Sequence, residues 1–205
     1  MSRTGASGVS QLHWQERRML LMTALGMGLG LPFVRMGTVD VAVAQANDPK
    51  LARPQAGDRF VFAFGEKIGK MITPEDLRLG EPPVTAYPID PGTGVVRDGS
   101  RLNQVLLLRL SPDGLHEETR GRAADGVVAY SAVCTHANCD ISVWRPAAKM
   151  LRCPCHESEF DPQASAHVSG GPAPRRLPAL PLKIVDGILT AAGTFSGRVG
   201  FQGGS

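Results

Sequence analysis

The runs Cys134-Thr-His-Ala-Asn-Cys139 and Cys153-Pro-Cys-His-Glu-Ser-Glu-Phe160 hold all four cysteines of the chain and two of its five histidines. Thiolate sulfur and neutral imidazole nitrogen are both ligands for borderline metals, and each run offers both. A zinc site of two cysteines and two histidines leaves two cysteines over, and the spacing departs from that of zinc fingers. Two disulfides would consume the cysteines and leave His136 and His156 unexplained beside them. An iron–sulfur cluster on two cysteines and two histidines, with the other cysteines in a disulfide, uses all six residues.

The flanking sequence favours short strands. Val127–Cys134 reads as a strand delivering the first cysteine. Ile141–Arg145 and Lys149–Cys153 read as a hairpin around Pro146-Ala147-Ala148 that delivers the third. Leu182–Ala191 is a hairpin turning at Asp186-Gly187. Upstream, Arg59–Phe64 and the apolar run Gln104–Leu110 are further strands. Thr73 and Pro74 could start a single helical turn, and Ser111–Ala124 fits a short surface helix. Gly80–Gly94, with its four prolines, is expected as loop with at most a short edge strand. The expectation is an all-β domain with the Cys/His segment as an inserted subdomain at one end.

The 205 residues suffice for one domain with a core. The net charge of +3 is small and the basic residues are scattered, so no nucleic-acid footprint is expected. Residues 1–46 differ in kind. Arg17-Arg18 precede an apolar run, Met19–Val34, and Ala44-Gln45-Ala46 has the form of a cleavage site. This resembles a twin-arginine export signal, with a retained membrane anchor as the alternative, although sixteen apolar residues are short of the roughly 20 that span a bilayer. Either way the folded part is expected outside the cytoplasm, where disulfides persist. Residues 47–58 read as a linker, 59–205 as the folded domain, and about 131–176 as its metal-binding subdomain.

The sixteen residues Ala137 to Arg152 separate a C-x-H from a C-x-x-H motif, a pattern that resembles the Rieske family. The resemblance implies a β-sandwich base with an inserted cluster-binding subdomain. It also implies one [2Fe–2S] cluster per chain, with Cys134 and Cys153 on one iron and His136 and His156 on the other. Cys139 and Cys155 fall where the high-potential branch has its disulfide. Gly171-Pro172-Ala173-Pro174 matches the loop that covers the cluster. Ser158 matches a serine that donates to a bridging sulfide. Phe160 stands where many respiratory members have a tyrosine that donates to a ligand sulfur, so a lower potential is expected. Ala137, Asn138 and Glu157 also depart from the respiratory motif. Asn138 tolerates positive φ where glycine is usual, whereas Glu157 is harder to place and its charge would lower the potential.

The run His156-Glu-Ser-Glu-Phe-Asp-Pro162 is similar to arsenite oxidase small subunits, as are Glu81-Pro82, Ala86-Tyr87-Pro88 and Gly197-Arg198. What this implies is one-electron transfer in the periplasm, as a subunit of a larger oxidoreductase of molybdenum type that passes electrons to a cytochrome c. The alternative is the Rieske subunit of a cytochrome bc1-type complex, partnered by cytochrome b. No catalytic residue of the chain's own is expected. His13, His116 and His167 read as solvated surface histidines.

Overall fold

The structure is a computed structural model and describes residues 48–201; the expected signal, residues 1–46, lies outside the described residues. β1 (Arg59–Phe62), β2 (Val84–Ile89), β3 (Val105–Arg109) and β4 (Val127–Ser131) form an antiparallel sheet in that order. β3 is apolar without alternation because both of its faces are covered. Leu106 and Leu108 pack on one side with Tyr130, Leu151 and Phe160; Val105 and Leu107 pack on the other with Phe60, Leu180 and Leu189. The second face is closed by the hairpin of β9 (Leu182–Val185) and β10 (Ile188–Ala191). Its two turn residues, Asp186 and Gly187, have φ of 50° and 76°, the left-handed pair that a two-residue hairpin turn requires.

Between β4 and β9 the chain builds a second sheet. β5 (Val143–Arg145), β6 (Met150–Arg152), β7 (Glu159–Asp161) and β8 (His167–Gly170) follow one another as an antiparallel meander. The Tyr130 hydroxyl donates to Pro162 O at 2.8 Å and is buried, tying the base sheet to this insertion. The architecture is all-β, as expected. The hairpin predicted around Pro146 is β5–β6, and Pro74–Asp76 is a single 3-10 turn capped by Thr73.

Three expectations need correction, and two strands were not anticipated. Gly80–Gly94 contains the six-residue strand β2, which lies inside the sheet rather than at its edge. Pro88 is accommodated because β3 pairs only with Val84–Ala86. Beyond that point Pro88 O accepts from Arg97 N, and the missing proline N–H breaks no ladder bond with β3. The strand expected to run through Cys134 ends at Ser131. The helix expected over Ser111–Ala124 shrinks to a 3-10 turn, Pro112–Gly114, and a one-turn helix α1 (Glu117–Arg120), since Pro112, Gly114 and Gly121 leave few good helix formers together. β7 and β8 escape sequence reading because each is three or four residues long with mixed polarity.

The described part of the expected linker, Asp48–Asp58, is bonded to the domain. Asp58 accepts from Arg97 Nε at 2.7 Å and Nη2 at 3.0 Å, with both side chains almost fully buried. Gly57 N donates to Ala191 O, and Asn103 Nδ2 donates to Ala52 O at 2.9 Å.

Candidate metal centre

The two cysteine runs fold into loops with the same backbone. Cys134 N donates to Cys139 O at 2.8 Å and Asn138 N to Cys134 O at 3.2 Å; Cys153 N donates to Ser158 O at 2.8 Å and Glu157 N to Cys153 O at 3.1 Å. In each loop the residue four after the cysteine turns left-handed, with φ of 60° at Asn138 and 62° at Glu157. Asparagine does this at little cost; glutamate there costs on the order of 1–2 kcal/mol. An ion pair to Arg152 Nη2 holds the Glu157 carboxylate. That pairing offsets the negative charge expected to depress the potential.

The loops bring the singled-out residues together. Cys139 and Cys155 form a disulfide. Cys134 and Cys153 are free thiols, each 1% exposed. The rings of His136 and His156 meet edge to face with centroids 4.6 Å apart. The sulfurs of Cys139, Cys153 and Cys155 also lie within 4.8 Å of one another. That trio is no metal site, because two of its members are bonded to each other; it shows the disulfide packed directly against Cys153. His116 and His167 stay exposed on the surface, as expected.

A third loop closes over the second. Gly171 has φ of 79°, and a Cβ there would lie 2.5 Å from Ser158 Cα and 2.7 Å from Glu157 O, so only glycine lets the loop approach this closely. Ala173 N donates to the fully buried Ser158 Oγ at 3.2 Å. Pro172 and Pro174 stand exposed on either side. Thr135, buried beside Cys134, donates through Oγ1 to Arg175 O at 2.7 Å and joins the first loop to the third. Phe160 is fully buried in β7, opposite Leu151 and Val168, and belongs to the core beneath the loops. Sequence reading missed Thr135, Arg152 and Arg101, whose Nη2 donates to Asn138 O. Their partners are distant in sequence or unremarkable in type, so no local pattern marks them.

The donor set fits a [2Fe–2S] group. His136 Nδ1 is buried without a hydrogen-bond partner, an arrangement that is costly unless something else engages the nitrogen. Burial pushes the Cys134 thiol upward, the neighbouring Cys153 sulfur pushes the same way, and the amides of His136 and Ala137 oppose them. A buried thiolate in this position calls for a positive partner such as iron. Two buried thiols and two paired imidazoles are the ligand set of such a centre.

Comparison with known proteins points the same way. The family model for the Rieske [2Fe-2S] domain matches residues 103–181. The chain is 39% identical over 148 residues to a cytochrome bc1 complex Rieske iron-sulfur subunit of Streptomyces lividans, covering 68% of this chain and 87% of that one. It is 37% identical over 134 residues to a putative respiratory nitrate reductase subunit Rieske of Haloferax mediterranei, covering 64% of this chain and 57% of that one. Among solved structures, the cyanobacterial plasma membrane Rieske protein of Synechocystis aligns at 26% identity and a TM-score of 0.31, over 43% of this chain and 75% of that one. The chain belongs to the Rieske family of [2Fe–2S] electron-transfer proteins.

Proposed function

We propose that Cys134 and Cys153 ligate one iron and His136 and His156 the other, and that the protein carries single electrons within a larger respiratory oxidoreductase of the cytochrome bc1 type. A [2Fe–2S] group in this ligand set accepts and releases one electron at a higher potential than an all-cysteine cluster, because imidazole adds no negative charge. The chain's own residues supply the rest. Cys134 and Cys153 sit at the base of the two loops, out of water. His156 is exposed and His136 half-buried, so the imidazole edges are the side presented to a partner. Gly171–Pro174 screens the opposite flank. The disulfide limits opening of the two loops, and the Ser158 hydroxyl proton is left to be donated toward the centre. The observation carrying the bc1 reading is the 39% identity that extends over 87% of the Streptomyces lividans subunit.

A second reading, the small subunit of an exported molybdenum oxidoreductase of the arsenite oxidase type, is favoured by the run His156–Pro162, by Ala137, and by the docked segment Asp48–Asp58. Both readings place the domain in the periplasm, where Cys139–Cys155 would stay oxidised. Among the described residues no helix is long and apolar enough to cross a membrane. Native purification tests the choice. A co-purifying b-type haem protein, with residues 1–46 retained, supports the bc1 type; a molybdenum protein, with the chain beginning at Asn47, supports the alternative. Reduced, iron-replete protein without a Rieske-type EPR signal would sink both.

A further inference from the structure

Four arginines surround the C-terminal stretch Val199–Phe201. Arg175 Nη2 donates to Gly200 O, and Arg101 Nη2 donates to Asn138 O while pairing with Asp140 at 3.2 Å. Arg53 donates through Nη1 to Leu102 O at 3.1 Å. With Arg198, Phe195 and Val199 it lines a cavity of about 180 Å³. Elsewhere Arg109, Arg122, Arg145, Arg152 and Arg176 each face a carboxylate. Among the described residues, Arg53, Arg59, Arg78, Arg120, Arg175 and Arg198 face none, and of these Arg53, Arg175 and Arg198 gather at this one face. Burial and the repulsion of Arg198 hold the Arg175 guanidinium below its ordinary value.

The same patch exposes an aromatic ring and touches the metal-binding loops. Phe201 is 51% exposed, and its backbone N donates to Asn138 Oδ1 at 2.5 Å. Gly200 packs so closely on Asn138 that a Cβ would collide with Oδ1. Arg175 O holds Thr135 between Cys134 and His136. Arginine and exposed aromatic side chains are the residue types that anchor protein interfaces, and unpaired positive charge steers and orients an acidic partner.

We propose that the face formed by Arg53, Arg175, Arg198 and Phe201 is the docking surface for an acidic region of the protein's redox partner. This rests on the electron-transfer reading above. The electron passes between the cluster loops and a partner centre held against them, with Phe201 excluding water near the middle of the contact.

Stopped-flow oxidation of the natively purified, reduced protein tests the field at this face. Each event moves one electron from the protein to the oxidant, hexacyanoferrate(III) becoming hexacyanoferrate(II). The rate with this anion is expected to fall as salt rises from about 20 to 300 mM, and the rate with cationic tris(phenanthroline)cobalt(III) to rise. Arg198→Glu is expected to slow hexacyanoferrate about tenfold at low salt, without changing the EPR signal, while Arg198→Lys stays like the parent. Arg53→Glu with Arg198→Glu enlarges the effect, and the single variant suffices if loss of the Leu102 contact prevents folding. In the native complex, hydrogen exchange over residues 195–201 is expected to be slower than in the isolated holoprotein. Salt slopes unmoved by Arg198→Glu, or protection confined to other segments, overturn the proposal while leaving the electron-carrier reading intact. So does binding to phosphatidylglycerol vesicles that Arg198→Glu abolishes while the complex gives no protection at 195–201. Absence of the EPR signal in the parent protein is the distinct result that removes the underlying reading.

Discussion

Ser158 Oγ accepts the Ala173 amide at 3.2 Å, so one hydroxyl on the second cysteine loop fastens the proline loop to it. The residue is fully buried and its hydroxyl oxygen accepts this amide, which leaves the hydroxyl proton free for the donation to the centre that we propose. Ser158→Ala removes the donor and orphans the Ala173 amide. The midpoint potential is expected to fall by about 40 mV, one hydrogen bond of ~1 kcal/mol on a one-electron scale. Voltammetry reads it, and an unchanged midpoint removes Ser158 from the tuning set.

Phe160 offers the converse test. It is fully buried in the core below the loops and packs without donating, and the proposed tuning role predicts that a hydroxyl at this position would donate toward the centre. Phe160→Tyr is expected to raise the midpoint by a similar amount, about one hydrogen bond. A midpoint that stays or falls, with a lower Tm reporting an unpaired buried hydroxyl, contradicts the account.

Gly171 has no alternative residue. Its φ is 79°, and a Cβ at this position would lie 2.5 Å from Ser158 Cα, so alanine must push the loop away. Gly171→Ala is expected to cost more than about 2 kcal/mol and to lower iron per chain. Parental iron content together with a parental Tm would be the adverse result.

The Cys139–Cys155 bridge spans a sequence separation of 16 residues. Replacing both cysteines with alanine is expected to cost about 3 kcal/mol, the closure entropy of a loop that long. The visible absorbance of the cluster should then bleach faster on warming. Equal bleaching rates would show that the loops hold without it.

Arg97 and Asp58 form an ion pair far from the metal-binding loops in sequence, with the two side chains 6% and 3% exposed. Arg97→Met leaves the Asp58 carboxylate buried without its cation, which is expected to cost about 3–5 kcal/mol. The midpoint should not move. Denaturant unfolding together with voltammetry separates this scaffold role from tuning, and a shifted midpoint would refute the separation.

What was legible in the sequence was local. The spacing of Cys134, His136, Cys153 and His156 was readable because donor residues on two short loops need few intervening residues. The Asp186-Gly187 turn was readable because it needs two left-handed residues in succession. β3 was readable as an apolar run, and its two covered faces account for the missing alternation. β2 was not, because whether Pro88 breaks a ladder depends on where β3 stops pairing. β7 and β8 were too short to show a period.

By itself the sequence determined the chemical types at the centre, the all-β class and the family, since these depend on residue identity and near-neighbour spacing. Tertiary structure alone decided that Glu157 turns left-handed against Arg152, that Thr135 and Ser158 clamp the third loop, that Asp48–Asp58 lies bonded to the domain, and that three unpaired arginines gather around Phe201. Those contacts join residues tens of positions apart, where side-chain geometry becomes defined only after both sheets have packed.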